Sequence, residues 1–221
     1  MIQVEQLCRR FGSRTALGGI SFSLGAGEAV VLTGPNGSGK TTLLRILATF
    51  LPATSGYVRV ADCDPLYDSM ELREATGYVP ESAPLYNDMR ATEFLRFRGR
   101  LRGLRGRSLR RRSEAAMEQC DLVPVRHAMI ASLSRGQRVR LCLADALLNE
   151  PQVLLIDDPL GSLDREQRTK FVDTIGALRG STTILVSTHL PEELVEVCPR
   201  RLTLCAGRLE YDGPAQGGDD A

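Results

Sequence analysis

The residues with the clearest chemical role form a loop that could hold phosphate groups. They are Gly34, Pro35, Asn36, Gly37, Ser38, Gly39, Lys40 and Thr41, which fit the pattern G-x-x-x-x-G-K-[ST] between an apolar run and a helical one. Glycines let backbone N–H groups curl around phosphate oxygens, and the following helix presents unpaired N–H groups to the same anion. Lys40 would reach the β- and γ-phosphates, the Thr41 hydroxyl would bind Mg²⁺, and Thr42 would contact the α-phosphate side. The loop predicts a nucleoside triphosphate ligand without distinguishing a kinase, GTPase, helicase or transporter.

Two adjacent acids follow a second apolar run farther along the chain. Residues 153–156 read as a buried strand, and Asp157 and Asp158 come directly after it. Carboxylates at the tip of a buried strand are costly without a cation. The pair therefore predicts Mg²⁺ coordination by Asp157 and orientation of an attacking water by Asp158. The alternative is that these acids cap a turn or a helix ahead of Pro159.

A five-residue motif upstream of the acids separates the possible classes. Residues 133–137 read L-S-R-G-Q, and together with the loop and the acids they resemble the ATP-binding cassette (ABC) family, whose signature is L-S-G-G-Q. The resemblance implies that Ser134 caps a helix and that Ser134, Gly136 and Gln137 bind the γ-phosphate held by a partner subunit. Arg135 replaces the usual glycine and adds a positive charge near the phosphates. A plain helix cap is the alternative interpretation.

Other positions match further motifs of the family. Phe11 stands where the family has an aromatic residue that stacks on adenine, although a core position is the alternative. Ser162, Leu163 and Asp164 match the loop that communicates between the two sites of a dimer. His189 follows an apolar strand and matches the switch histidine that contacts the γ-phosphate. The resemblance thus covers nearly the whole chain.

Two positions depart from the family pattern. Glu81 follows Gly-Tyr-Val-Pro, where the family usually has glutamine, and residues 77–86 resemble a branch that serves export-type permeases. Asp158 replaces the usual catalytic glutamate, and the shorter side chain retracts the carboxylate. Because a misplacement of roughly 1 Å can cost on the order of 10²-fold in rate, we expect ATP binding to survive even if hydrolysis is slow. The predicted catalytic residues are Asp158, His189 and Glu81, and the predicted metal ligands are Thr41, Asp157 and Glu81.

Hydrophobic periodicity predicts the elements that must position these residues. Strands are expected over residues 2–7, 20–24, 29–32 and 57–60, and a helix over residues 41–50. Residues 91–150 show helical periodicity and no convincing strand, including a helix over residues 139–148. Strands over residues 153–156 and 183–187 flank a helix over Arg165–Leu178, and a strand pair is expected over residues 201–209. Residues 216–221 read as a frayed tail.

This order predicts an α/β protein with the P-loop NTPase fold of an ABC nucleotide-binding domain. We expect a mostly parallel core sheet, an N-terminal antiparallel β part and a helical subdomain. Residues 1–221 would form a single domain. Residues 1–81 and 151–221 would form its P-loop lobe, and residues 82–150 would form the helical subdomain with the signature motif.

Composition bounds the class of protein and its surroundings. The chain has 221 residues, 43% of them hydrophobic, and a net charge of +1, which argues against general nucleic-acid binding. Its six cysteines lack metal-site spacing and indicate buried thiols in a reducing compartment. No apolar run approaches the roughly 20 residues that span a bilayer, and the N-terminus reads as a strand rather than a signal peptide. We therefore expect a cytoplasmic protein.

The segment over residues 96–112 is the most basic part of the chain. One interpretation is a face that meets anionic lipids or acidic permease loops. A second is nucleic-acid binding, although few aromatic residues interrupt the arginines. A third is a solvated helix face with Phe94, Phe97, Leu101 and Leu104 turned inward.

The resemblance implies a subunit that binds Mg²⁺ and ATP, dimerises and hydrolyses ATP to drive transport. Its partners would be a second nucleotide-binding subunit, identical or different, and integral membrane permease subunits, with no nucleic acid expected. The chain would lie on the inner face of the cell membrane through the permease. The alternative is a soluble ABC-type nucleotide switch with weak or no hydrolysis, which the aspartate at position 158 favours.

Overall fold

The computed structural model describes residues 1–82, 85–161 and 163–216. Its strands are β1 Ile2–Phe11, β2 Arg14–Leu24, β3 Ala29–Thr33, β4 Ser55–Val60, β5 Thr76–Val79, β6 Val153–Asp157, β7 Thr183–Ser187, β8 Arg200–Cys205 and β9 Arg208–Pro214. Its α-helices are α1 Lys40–Leu47, α2 Ser69–Ala75, α3 Ala91–Leu101, α4 Gly106–Gln119, α5 Arg135–Leu147 and α6 Arg165–Leu178. The predicted tail beyond residue 216 lies outside the described residues.

The N-terminal strands form a small antiparallel sheet in the order β2-β1-β4. On β1, Ile2 and Val4 are buried while Gln3 and Glu5 are exposed, because successive side chains of a strand point to opposite faces. One face of this sheet therefore packs inward and the other meets solvent, which confirms the predicted antiparallel part.

A six-stranded sheet in the order β5-β6-β7-β3-β8-β9 forms the centre of the molecule. All of its pairings are parallel except β8 with β9. Every residue of β3, β6 and β7 is buried, as expected for parallel strands covered on both faces. The mostly parallel core sheet that the sequence predicts is confirmed.

The two faces of the central sheet belong to two hydrophobic clusters. Val31 and Ile156 point into a cluster shared with α3, α4, α5 and α6. Val30 and Leu155 point the other way, into a cluster shared with α1 and the antiparallel sheet. The predicted helical subdomain thus shares its core with one face of the sheet, and the boundaries at residues 82 and 150 stay a prediction.

Several expected elements differ from those observed. β5 and α2 were not expected, because Thr76–Val79 is short and Ser69–Ala75 follows a polar stretch with only one buried residue, Leu72. α1 ends at Leu47 rather than at residue 50. α5 begins at Arg135 rather than at residue 139, because Ser134 caps the helix directly. As predicted, the described part of residues 91–150 contains no strand.

The basic segment over residues 96–112 is folded differently from its predicted amphipathic pattern. Phe94 is buried, but Leu101 is 64% exposed, so the expectation that it turns inward is wrong. Two arginines point inward instead, because Arg98 and Arg102 each place a nitrogen 3.0 Å from Oδ2 of Asp145 on α5. This cluster of charges fastens α3 to α5.

The described residues contain no disulfide and no helix that could cross a membrane. All six cysteines are free, but only three of them are buried, namely Cys120, Cys142 and Cys198. Burial raises the pKa of each of these three thiols to about 12, so they are neutral at physiological pH. Among the helices that the structure describes, none is long and apolar enough to span a bilayer.

Candidate functional site

The phosphate-binding loop joins β3 to α1 through a backbone that only glycine tolerates at its two ends. Gly34 has φ of 135°, and a Cβ there would collide with the carbonyl oxygen of Leu204. Gly39 has φ of 112°, and a Cβ there would lie 2.8 Å from the carbonyl oxygen of Ala16. The first N–H groups of α1, which begins at Lys40 directly after the loop, have no partner within the helix. The loop therefore has the geometry of an anion site.

Lys40 supplies the positive charge of this loop. Its Nζ donates hydrogen bonds to the carbonyl oxygens of Gly34 at 2.6 Å and Pro35 at 3.1 Å. These contacts hold the ammonium group beside the backbone N–H groups that would receive phosphate oxygens.

Asp157 lies at the end of β6, directly beside the loop. Its Oδ1 accepts hydrogen bonds from the hydroxyls of Thr41 at 3.2 Å and Ser187 at 2.8 Å. Its Oδ2 is buried and has no hydrogen-bond partner among the described residues, although the residue is only 2% exposed. A buried carboxylate oxygen without a partner is costly, and a cation beside it removes that cost.

Asp158 and His189 form a second polar pair next to Asp157. Oδ2 of Asp158 lies 3.0 Å from Nδ1 of His189, while Oδ1 of Asp158 is buried without a partner in the described chain. The backbone N–H of Asp158 donates to Ser187, and its φ of 43° lies in the left-handed region, which aspartate tolerates better than most residues. A Cβ at Gly161 would lie 2.6 Å from Cε1 of His189, so glycine leaves room for the imidazole.

The loop and the two acids border one hollow of about 490 Å³. Its lining includes Phe11, Arg14, Asn36, Gly37, Gly39, Lys40, Thr41, Thr42, Glu81, Asp157 and Asp158. Phe11 is 45% exposed, so the alternative that it is a core residue is wrong. The guanidinium carbon of Arg9 lies 4.5 Å from the centroid of the Phe11 ring. The structure therefore brings most of the predicted nucleotide and metal residues of one chain around the same space.

A second hollow, of about 480 Å³, lies on the other side of Asp158. Glu81, Asp158, Arg135 and His189 are among its lining residues. Glu81 and Asp158 border both hollows, which places the predicted catalytic acids between the phosphate-binding loop and the start of α5.

The signature residues are satisfied within their own helix. Oγ of Ser134 accepts from the N–H of Gln137 at 3.2 Å, and Oε1 of Gln137 accepts from the N–H of Ser134 at 2.9 Å. A Cβ at Gly136 would collide with the side chain of Gln167 on α6. None of Ser134, Gly136 and Gln137 lines either hollow around Asp158, so a single chain does not bring them to the phosphate-binding loop.

The loop predicted to communicate across a dimer is only partly described. Ser162 lies outside the described residues. Leu163 is 5% exposed and belongs to the core, while Oδ1 of Asp164 accepts from the N–H of Gln167 at 2.9 Å and caps α6. In one chain these two residues therefore have structural contacts, and their role in a dimer stays a prediction.

Sequence reasoning missed several residues of the site. Ser187 orients Asp157, and the signal that could have found it is its place at the end of β7, paired in register with Asp157. Tyr78 on β5 has a pKa raised to about 12 by burial and by the charge of Asp157, so its phenol is neutral. Arg14 lines the nucleotide hollow but belongs to no motif.

Among the described residues no group of three or more His, Cys, Asp and Glu could hold a metal ion by itself. Mg²⁺ is usually held by one or two protein oxygens, together with water and substrate phosphates. The Thr41 hydroxyl and the unpartnered Asp157 oxygen fit that pattern. The donor set therefore suits Mg²⁺ bound with a triphosphate.

Comparison with known proteins gives the same family over most of the chain. A sequence profile described as ABC transporter matches residues 17–161. The chain is 34% identical over 216 residues to the uncharacterized ABC transporter ATP-binding protein YxlF of Bacillus subtilis, covering 98% of this chain and 72% of that one. It is 33% identical over 215 residues to the daunorubicin resistance ATP-binding protein DrrA3 of Streptomyces coeruleorubidus, covering 97% and 68%.

Import proteins and solved structures are similar as well. The chain is 39% identical over 223 residues to the sulfate/thiosulfate import ATP-binding protein CysA of Methylococcus capsulatus, covering 97% of this chain and 63% of that one. Its fold is similar to the dimeric post-hydrolysis structure of the ATP-binding cassette MJ0796 bound to ADP and Pi. That match has a TM-score of 0.86 and 25% identity, and it covers 98% of this chain and 100% of the other.

Proposed function

Because the chain belongs to the ABC transporter family, as an ATP-binding and ATP-hydrolysing subunit, we propose that it powers export through a separate permease by closing as a dimer on Mg²⁺-ATP. ATP binding and hydrolysis follow from the family. We propose, in addition, the residues that act, the metal, the partners and the direction of transport.

The observation that carries the proposal is the carboxylate of Asp157. One of its oxygens is fixed by Thr41 and Ser187, while the other is buried without a partner among the described residues. This arrangement supports Thr41 and Asp157 as the residues that would hold Mg²⁺, with Glu81 bordering the same hollow. When bound, the ion would neutralise charge on the β- and γ-phosphates.

The phosphate-binding loop would hold and orient the triphosphate. Lys40 would exchange its two carbonyl partners for phosphate oxygens, and the free N–H groups at the start of α1 would donate to the same group. Phe11, exposed at the rim of the hollow, would offer a flat apolar surface to the adenine ring.

Asp158 and His189 would act on the attacking water and the γ-phosphate. Oδ2 of Asp158 fixes the imidazole through Nδ1, which leaves the second ring nitrogen for a phosphate oxygen. Oδ1 of Asp158 is buried and has no partner among the described residues, so it would accept a hydrogen bond from an attacking water bound beside it. The pair therefore supports water activation even with aspartate in the place of glutamate.

A second copy would complete the site. Ser134 caps α5 and does not line the nucleotide hollow of its own chain, so its hydroxyl and the helix N-terminus would meet the γ-phosphate of the other copy. Closure of the two copies would then be coupled to movement of the permease. The dimeric solved structure of a similar cassette supports this arrangement.

The residues around Glu81 and the similarity to a drug-resistance protein support export. Because an import protein is also similar, the direction of transport has to be tested.

The chain would lie in the cytoplasm, attached to the inner face of the membrane through the permease. Affinity purification from solubilised membranes is expected to recover a polytopic membrane protein, and ATPase activity should rise with that protein present. Transport into inverted vesicles, which depends on added ATP, would establish export.

The second candidate is a soluble nucleotide switch, which Asp158 favours. Such a protein would bind ATP and dimerise, but its ATPase rate would be negligible with or without membrane protein. Recovery of soluble partners alone, together with an ATPase rate that no membrane protein raises, would select the switch over the motor.

A further inference from the structure

We propose that the turn between α3 and α4 binds the phosphate headgroups of an anionic membrane surface. Four arginines line a hollow of about 670 Å³ at this turn, namely Arg96, Arg100, Arg105 and Arg110, and Leu109 contributes to the same lining. We call this feature the arginine groove. It lies away from the nucleotide site, and no residue of the phosphate-binding loop lines it.

Three of the four arginines of the groove have no ion-pair partner among the described residues, unlike the fourth and the neighbouring arginines. Arg98 and Arg102 are paired with Asp145, Arg110 with Glu114, and Arg111 and Arg112 with Glu150. Arg96, Arg100 and Arg105 are exposed, and none of them has a carboxylate within ion-pair distance in the described part of the chain. Three unpaired charges are therefore gathered on one groove.

An anion bound at this turn would reduce the repulsion among these charges. Arg96 and Arg100 stand four residues apart on α3, where like charges destabilise a helix. The whole chain carries a net charge of only +1, so the positive potential is local to this segment. Guanidinium groups bind phosphate through two parallel hydrogen bonds, which makes clustered arginines a phosphate site.

The lining of the groove favours a membrane surface over nucleic acid. Among its described lining residues there is no aromatic side chain on which a base could stack. Leu101, next to Arg100 at the end of α3, is 64% exposed. An exposed apolar residue beside arginines suits the boundary between headgroups and acyl chains. The site requires no permease, so its failure would leave the proposed function intact.

Sedimentation with lipid vesicles tests the groove directly. The full chain is expected to bind vesicles of phosphatidylcholine mixed with phosphatidylglycerol, to ignore pure phosphatidylcholine, and to be released by salt. The variant Arg96→Gln/Arg100→Gln/Arg105→Gln should bind the anionic vesicles about 100-fold more weakly, since each arginine contributes about fivefold. These side chains are exposed and repel one another, so the melting temperature should not fall, and ATP affinity should match that of the unaltered chain.

A matched variant controls for net charge. Arg59→Gln/Arg73→Gln/Arg208→Gln removes three exposed arginines on β4, α2 and β9 and should leave vesicle binding unchanged. Equal loss in both triple variants, or no binding of the unaltered chain to anionic vesicles, would overturn the proposal. So would preferential binding of a single-stranded oligonucleotide or a polyglutamate peptide through the same three arginines at equal salt.

Discussion

The phosphate-binding loop and the start of α5 carry the two motifs that define the family, and their surroundings differ. Around the loop, side chains from β1, β6 and α1 converge on one hollow, and Asp157 keeps a buried oxygen without a partner in the described chain. At the start of α5, Ser134 and Gln137 satisfy each other, and neither lines that hollow.

The difference indicates which part of the proposed ATP site a single chain supplies. The loop and its acids form the site proposed to hold a triphosphate and its metal, and the signature residues of the same chain do not border it. The signature residues form a finished helix cap whose hydroxyl and dipole have no phosphate to meet in the same chain. In the proposed dimer, a second copy would bring its α5 to the open side of the loop region and complete the site.

Loss of Lys40 should break the first region with the largest effect. Lys40→Ala removes the ammonium group held beside the Gly34 and Pro35 carbonyls, and we expect Mg²⁺-ATP affinity to fall by at least about 100-fold. Titration calorimetry measures this affinity. Lys170→Ala is the control, because Lys170 lies outside the nucleotide hollow, forms exposed ion pairs with Glu166 and Asp121, and should leave affinity unchanged. Equal affinity in both variants would contradict the role of the loop.

Changes at Asp158 should affect turnover without affecting binding. Asp158→Asn keeps the size of the side chain but loses the base, so we expect the ATPase rate to fall by about 10²-fold or more. Asp158→Glu restores the length of the family's usual acid and should raise the rate. ATP affinity should stay the same in both, since Asp157 and Lys40 are intact. Steady-state phosphate release measures the rates, and equal rates for all three proteins would refute a water-orienting role.

The second region is tested by a variant that separates capping from phosphate binding. Ser134→Asp retains a good N-cap and should keep the stability of the chain, but it places a negative charge where the partner's γ-phosphate would lie. We expect ATP-driven dimerisation to weaken by about tenfold or more. Ser134→Ala should cost about 1 kcal/mol of unfolding free energy as a lost cap. Thermal melts measure the stability of the chain, and sedimentation velocity measures ATP-driven dimerisation. Unchanged dimerisation of Ser134→Asp would contradict a place for Ser134 in the interface.

Local sequence signals predicted the parts of the structure that depend on neighbouring residues. The loop needs glycines at Gly34 and Gly39 and a lysine at the start of the helix, and all three residues lie in one short stretch of the chain. The strand before Asp157 is a continuous apolar run, and the bounds of α6 and β7 agree with their predicted limits. These features follow from the loop motif, from hydrophobic periodicity and from capping, which are all local signals.

Features that depend on distant contacts were not predictable in the same way. The spacing of Leu101 predicts that it points inward, but it is exposed. Arg98 and Arg102 point inward instead, because both form ion pairs with Asp145 on α5. Ser187 belongs to no motif and gains its role only from its register with Asp157. Pairings between residues far apart in sequence leave no periodic trace, so one sequence does not reveal them.

The open side of the loop region is tested most directly by the mass of a variant that binds ATP without turning it over. Asp158→Asn saturated with Mg²⁺-ATP should give, by multi-angle light scattering, twice the mass of the chain, and the same protein with Ser134→Asp added should give the mass of one chain. A single-chain mass for Asp158→Asn at saturating Mg²⁺-ATP would contradict a site completed by a second copy.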